Sequence, residues 1–152
     1  MKIFLLEIES KTQHSEAGRE LAIKAAQKVF GIENPQIEII DNKPRFVDSD
    51  LHFSISHSEK LVAVCFDTEP VGFDIEFMKE RDFERFAKRY NIPAEKETFY
   101  RFWTVYEAKI KLQAKPQQVK TFMLQDGYMA SIASVRSFDL PELFEFSAAY
   151  DF

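Results

Sequence analysis

Glycine is scarce in this chain: 4 among 152 residues, beside 6 prolines, 1 cysteine and 1 tryptophan. No Gly-x-x-x-x-Gly-Lys-Ser/Thr phosphate loop and no Gly-x-Gly-x-x-Gly dinucleotide turn is present, since both need glycine where backbone wraps a phosphate. A collagen-like or linker-dominated chain is excluded on the same grounds. A lone Cys65 can form neither an internal disulfide nor a multi-cysteine zinc site, and its place in the apolar run Leu61–Phe66 reads as a buried, inert thiol. No apolar run approaches the roughly 18 residues of a spanning helix. The start, Met1-Lys2-Ile3-Phe4-Leu5-Leu6-Glu7, lacks a signal peptide's long apolar stretch and cleavage site. The expectation is a cytoplasmic protein with no membrane partner. A net charge of −5 argues against nucleic acid as a partner.

What the chain does have is 45% apolar residues, including 16 phenylalanines. That suffices for one compact domain or two small lobes sharing a core. Charge is unevenly spread: residues 79–120 hold 11 basic and 6 acidic side chains, whereas residues 1–78 hold 8 and 14. A basic middle in an acidic protein reads either as a patch for an anionic partner or as ordinary solvated helix surface.

Residues 2–8 read as a strand and 15–30 as a helix, with Ser15 as N-cap and Gly31 as stop. A short strand over 38–40 and a turn over 41–44 follow. Alternation over 51–58 predicts a strand with Leu51, Phe53, Ile55 and His57 in the apolar phase. With 61–66 and 71–77 it predicts an antiparallel meander. Helices are expected at 81–90 and 94–114, then strands near 120–125, 128–135 and 142–150, around the Asp126-Gly127 turn. Strands, helices, then strands indicate α+β.

Three constellations carry chemistry. On the strand Val71-Gly72-Phe73-Asp74-Ile75-Glu76-Phe77, Asp74 and Glu76 share a face while Phe73, Ile75 and Phe77 share the other. Paired carboxylates repel unless a cation lies between them, and hard oxygen ligands suit Mg²⁺ or Mn²⁺; the plain alternative is a solvated acidic face. Gly72 admits the close approach of a ligand or of another backbone. In Phe102-Trp103-Thr104-Val105-Tyr106-Glu107-Ala108-Lys109-Ile110-Lys111, helical spacing aligns Trp103, Glu107 and Lys111. Glu107 and Lys111 then read as a surface ion pair or as site residues. In Phe53-Ser54-Ile55-Ser56-His57-Ser58, His57 reads as a structural histidine or as a phosphate holder at a cleft edge. No Gly-x-Ser-x-Gly elbow supports a serine hydrolase.

The order Asn42-Lys43-Pro44, Phe53-Ser54-Ile55-Ser56-His57-Ser58, Val71-Gly72-Phe73-Asp74-Ile75-Glu76 and Trp103-Thr104-Val105-Tyr106-Glu107-Ala108-Lys109-Ile110-Lys111 resembles the 4′-phosphopantetheinyl transferases of the larger, surfactin-synthetase-activating type. The resemblance runs from about Lys43 to Lys111. It implies one transferase unit over 1–152, made of two pseudo-symmetric α+β lobes, about 1–70 and 71–152, each an antiparallel sheet on a helix. It implies transfer of 4′-phosphopantetheine from coenzyme A to a serine of an apo acyl or peptidyl carrier protein, a small acidic helical domain. Asp74, Glu76 and Glu107 match the family's metal ligands, with Mg²⁺ or Mn²⁺ as the ion. Glu107 and Lys111 match catalytic positions, and Lys111 also the pyrophosphate-binding lysine. Ser56 and His57 match the 3′-phosphate site, Lys43 the nucleotide-site lysine and Arg19 an early helix arginine. Tyr106 stands where the family has lysine, which motivates the alternative of a weakly active relative that binds coenzyme A or carrier without efficient transfer. A Mg²⁺-dependent pyrophosphate hydrolase is a third reading.

The helix at 81–90 suits the acidic partner: Arg81, Arg85, Lys88 and Arg89 fall on one face, Phe83, Phe86 and Tyr90 on another.

Overall fold

A computed structural model describes residues 1–147. The fold is α+β, with strands β1 (Lys2–Glu7), β2 (Ile37–Ile40), β3 (Lys43–Phe46), β4 (His52–Ser58), β5 (Leu61–Asp67), β6 (Val71–Phe77), β7 (Gln118–Gln125), β8 (Tyr128–Ser134) and β9 (Glu142–Phe146). Helices are α1 (His14–Lys28), α2 (Glu84–Tyr90) and α3 (Lys96–Leu112), with one 3₁₀ turn at Lys11–Gln13. Residues 148–150, expected to extend the last strand, lie outside the described residues.

The meander does not form. β5 is already flanked by β4 and β1, so both its edges are occupied and β6 has no place beside it. The first sheet runs β4-β5-β1-β9 and the second β6-β8-β7, with a separate β2-β3 hairpin. The pairings are antiparallel except β1 with β9. Two equivalent units result. In the first, β1-α1-β4-β5 gives the strand order β4-β5-β1; in the second, β6-α3-β7-β8 gives β7-β8-β6. β9 crosses back and adds parallel to β1, so the first sheet takes in a piece of the chain's end.

The helices pack differently. α1 lays Leu21 on its sheet among the small residues Ala17, Gly18, Ala22, Ala25 and Ala26, which let helix and strands approach closely. α3 buries Phe99, Tyr100, Thr104, Ala108 and Leu112. It ends at Leu112 because Gln113 adopts φ 58°. Phenylalanines concentrate in the core under α1, where Phe4, Phe53 and Phe66 are fully buried, and Phe73 is equally buried in the core between the two sheets. α2 begins at Glu84, three residues later than its periodicity predicts, so Arg81 precedes the helix. The turn expected over 41–44 closes in two residues, Asp41 (φ 50°) and Asn42 (φ 62°), and Lys43 already belongs to β3. Among the described residues no helix is long and apolar enough to cross a membrane.

Candidate active site

β4 and β6 are edge strands of different sheets, and they stand side by side without a backbone ladder. Serine hydroxyls replace it. The amides of Phe73, Ile75 and Phe77 donate to Ser54, Ser56 and Ser58 Oγ at 3.0, 3.0 and 2.9 Å. Alternation along both strands brings every second residue of β4, a serine, to every second amide of β6, satisfying donors that an edge strand would otherwise leave bare. The serine phase of β4 is therefore the one turned to β6, with Ser54 and Ser56 buried, whereas His57 is exposed. His57 does share the phase of Phe53 and Ile55, which pack into the core under α1, but at the strand's end it lies beyond that core and is exposed.

The same hydroxyls donate onward: Ser56 to Asp74 Oδ1 at 3.0 Å and Ser58 to Glu76 Oε2 at 3.4 Å. Asp74 is 5% exposed, so the acidic face is not a solvated one. Burial holds its carboxyl above the usual carboxylate range, against the pull of Lys111 and Ser56. Burial, then the Asp74 charge, pushes Glu76 up to about 7. Glu107 on α3 is half-buried, and its charge raises both.

Lys111 ties the halves together. Its Nζ donates to Asp74 Oδ1 at 3.0 Å and to the carbonyls of Phe73 in β6 and Ile55 in β4, at 3.1 and 3.2 Å. Lys43 lies behind it, buried, donating to the carbonyls of Val71 and Lys111 at 2.7 and 2.8 Å. Loss of water there, then the Arg45 charge, lowers its pKa to about 8. Gly72 answers its own question: a Cβ there would fall 2.0 Å from the Ala108 carbonyl oxygen, so the close approach is that of the α3 backbone.

The acid pair sits between two clefts. One, of about 360 Å³, is lined by Arg19, Ser56, His57, Asp74 and Lys111. The other, of about 570 Å³, is lined by Glu76 with Arg81, Arg85, Arg89, Phe86 and Trp103. Lys43, Pro44, Phe53 and Ile110 belong to a third, more apolar cavity of about 350 Å³. Six of the eight residues singled out by sequence thus surround Asp74: Arg19, Ser56, His57 and Lys111 share its cleft, Glu76 is its strand neighbour and Glu107 acts through its charge. Lys43 spends its ammonium on backbone carbonyls instead. Tyr106 is 46% exposed, stacked on Trp103 and Phe102 at 5.8 and 6.4 Å. Trp103 packs with Phe86 and Phe99 against the cluster around Met129.

Sequence reasoning missed two groups. His14 stacks on His57 from the first turn of α1, 43 positions away, with no motif to mark it. Ser58 closes the Phe53–Ser58 motif with no role assigned to it, yet it accepts from Phe77 N and donates to Glu76.

The residues fit a hard divalent cation in donor chemistry. Asp74 Oδ2 is buried with no hydrogen-bond partner, an acceptor without a donor. Among the described residues no three His, Cys, Asp or Glu side chains already form a metal-ligand group.

No protein-family model matches the chain. It is 35% identical over 114 residues to the 4′-phosphopantetheinyl transferase Gsp of Aneurinibacillus migulanus, covering 64% of this chain and 47% of that one. It is 32% identical over 108 residues to HetI, a 4′-phosphopantetheinyl transferase of Nostoc sp. (62% and 45%), and 35% over 114 residues to a 4′-phosphopantetheinyl transferase of Bacillus subtilis (64% and 50%). The chain spans about half the length of these curated relatives. Over that stretch it is similar in sequence to the 4′-phosphopantetheinyl transferases.

Proposed function

We propose that this chain transfers 4′-phosphopantetheine from coenzyme A to a serine of an apo carrier protein, in the cytoplasm and with Mg²⁺ or Mn²⁺. The observation that carries the reading is the position of Asp74 and Glu76 at the junction of two unlike clefts. Two clefts suit two substrates meeting at one charge-managing centre.

The cleft on the Asp74 side is built for an anion, with Arg19, His57 and Lys111 on its walls. The neighbouring apolar cavity, walled by Pro44, Phe53 and Ile110, offers room for a base. The cleft on the Glu76 side joins guanidinium groups to aromatic rings, with Arg81 over the Phe99 ring at 5.3 Å. Such a surface fits an acidic helical domain that also buries an apolar edge.

In the reaction the carrier serine oxygen bonds to the phosphorus on the pantetheine side. The pyrophosphate P–O bond breaks, and adenosine 3′,5′-bisphosphate leaves. The protein contributes position and charge more than covalent chemistry. Lys111 exchanges backbone carbonyls for phosphate oxygens, Arg19 and His57 hold the far phosphate, and Glu107 accepts the serine proton. A divalent ion held by Asp74, Glu76 and Glu107 would neutralise the pyrophosphate oxygens.

A second reading, motivated by the neutral Tyr106 where the resembled family has lysine, is that the chain binds coenzyme A or carrier but transfers slowly; the exposed ring, outside both clefts, speaks against it. Incubation with coenzyme A, Mg²⁺ and an apo carrier, followed by mass spectrometry of the carrier, separates the two. One phosphopantetheine added in wild type, and none with excess chelator, supports transfer. An unmodified carrier under all conditions contradicts it.

A further inference from the structure

α3 meets the second sheet through side chains one turn apart, Tyr100, Thr104, Ala108 and Leu112, all buried. Two of them are polar. Tyr100 Oη accepts from the Lys79 amide at 3.0 Å and donates to the Lys79 carbonyl at 3.3 Å. Thr104, fully buried, donates to the Tyr100 carbonyl at 2.9 Å, one turn back along its own helix. That spends its one hydroxyl proton, so Thr104 is the acceptor in its 2.7 Å bond to Ser131 Oγ. Ser131, equally buried, then accepts from Thr121 at 2.7 Å. The donors run from Thr121 through Ser131 and Thr104 to the Tyr100 carbonyl, with each hydroxyl proton used.

The strand register brings this chain of hydroxyls beside the site. Ser131 of β8 stands opposite Asp74 of β6, and Thr121 of β7 stands opposite Ser131. Opposed residues share a face, so Asp74, Ser131 and Thr121 form a row across the sheet, on the side that α3 covers at Gly72 and Ala133. Thr104 is tied to the middle of that row. Glu107 follows Thr104 by about one turn of α3 and Lys111 by about two, and Lys111 bonds Asp74 at 3.0 Å.

A buried hydroxyl pair adds little stability, since an apolar pair of the same shape does nearly as well. What it supplies is direction. The apolar contacts of Ala108, Leu112 and Ala133 tolerate a small roll of the helix, whereas a short bond between two buried hydroxyls does not. The Gly72 contact limits how near α3 comes, and the hydroxyl bond fixes how it is turned. A roll of α3 would carry Glu107 and Lys111 away from Asp74, and misplacement by about 1 Å can cost on the order of a hundredfold in rate.

We propose that Thr104 and Ser131 are positioning residues, whose hydroxyl bond sets the turn and height of α3 so that Glu107 and Lys111 meet Asp74. The assignment rests on the transfer reading and adds to it two residues that line neither cleft beside the acid pair.

Steady-state transfer kinetics on Thr104→Val, Thr104→Ser, Ser131→Ala and the double variant Thr104→Val with Ser131→Ala test this, with thermal denaturation to choose a temperature at which each is folded. Thr104→Val keeps the branched shape, and Thr104→Ser keeps the hydroxyl. In Thr104→Val and in Ser131→Ala kcat is expected to fall about tenfold, with KM for coenzyme A and for carrier each within about threefold of wild type. Thr104→Ser is expected to keep kcat within about twofold. The double variant should be no slower than the single ones, because both remove the same bond. Unchanged kcat in Thr104→Val and Ser131→Ala, whatever their stability, overturns the positioning role and leaves the transfer reading standing. So does a Thr104→Ser variant as slow as Thr104→Val, or losses that multiply in the double variant. A wild type that adds no phosphopantetheine to the apo carrier overturns both.

Discussion

The two β-α-β-β units share one strand order yet bring opposite chemistry to the line where they meet. The first offers hydroxyls, imidazoles and a guanidinium: Ser54, Ser56 and Ser58 along β4, His57 exposed at that strand's end, His14 and Arg19 from α1. The second offers acids: Asp74 and Glu76 on β6 and Glu107 on α3, together with Lys111. Their helices differ to match. α1 is small-faced and close-packed, a support whose working residues lie near its N-terminal end. α3 is the larger-faced helix, held against β6 at Gly72 by backbone contact, and it carries Glu107 and Lys111 directly to the site. The same topology thus serves as a frame in one half and as an arm of the candidate site in the other.

Glycine substitutions break that contrast most severely. In Gly72→Ala the new methyl would lie 2.0 Å from the Ala108 carbonyl oxygen and 2.5 Å from the Leu112 amide, both rigid backbone. Loss of about 3 kcal/mol or more is expected by urea denaturation. In Gly18→Ala the clash is with Ile55 Cγ2 at 2.6 Å, the branch methyl of a stiff but lone side chain rather than backbone. The gain in helix propensity offsets part of it, and a loss of about 1–2 kcal/mol, smaller than at Gly72, is expected. Equal losses would show that the two helices are seated alike.

Asp74→Asn comes next. It preserves shape but removes the charge shared by Lys111 and Ser56. Transfer should fall about a hundredfold or more, roughly 2.7 kcal/mol of transition-state stabilisation, while the denaturation midpoint moves far less. Asn is the sharper probe than Ala, because a residue 5% exposed would leave a hole behind it. Near-normal turnover of Asp74→Asn would remove the carboxylate from the mechanism.

Glu76 supplies a pH test of the acidic half. Its folded pKa, about 7, lies above the ordinary 4.5. The unfolded chain therefore gives up this proton first. Stability falls as pH rises from about 4.5 to about 7, by on the order of 2 kcal/mol once solvent screening is allowed for. Glu76→Gln should flatten that part of the profile. Mg²⁺ competes with the proton, so its stabilising effect in thermal denaturation should be larger at pH 8 than at pH 5.5. A wild-type profile that is level between pH 4.5 and 7 would place Glu76 in water.

Much of this arrangement is legible in the sequence, and the failures have physical causes. The strand phase that puts Asp74 and Glu76 on one face, and the helical spacing that aligns Glu107 with Lys111, are local periodicities that packing preserves. The fate of β6 is not local: the short Thr68-Glu69-Pro70 link invites a hairpin, but β1 had already claimed the free edge of β5. Alternating serines on β4 look like a solvated face until a second edge strand is brought against them. His14 was invisible because stacking depends on where α1 begins relative to β4, which no spacing within either segment encodes. The bond between Arg136 and Asp67, at 2.6 and 2.9 Å, is equally remote in sequence and joins the two units at their far ends.

Tyr106 gives the smallest expected effect. Its ring lies on Trp103 and Phe102, and it lines neither cleft beside the acid pair. Tyr106→Lys should change kcat/KM for coenzyme A by less than about threefold, or 0.7 kcal/mol. A tenfold rise would show that a lysine at this position reaches the pyrophosphate and that its absence slows this chain.

The proposed division of the two clefts between two substrates is tested most directly by steady-state transfer kinetics on His57→Ala and Arg85→Glu, varying coenzyme A and apo carrier separately. The account predicts that His57→Ala raises KM for coenzyme A alone, and that Arg85→Glu raises KM for the carrier alone and blunts its salt dependence. A rise in coenzyme A KM in Arg85→Glu with unchanged carrier kinetics would contradict it, since the Glu76 cleft would then belong to the nucleotide.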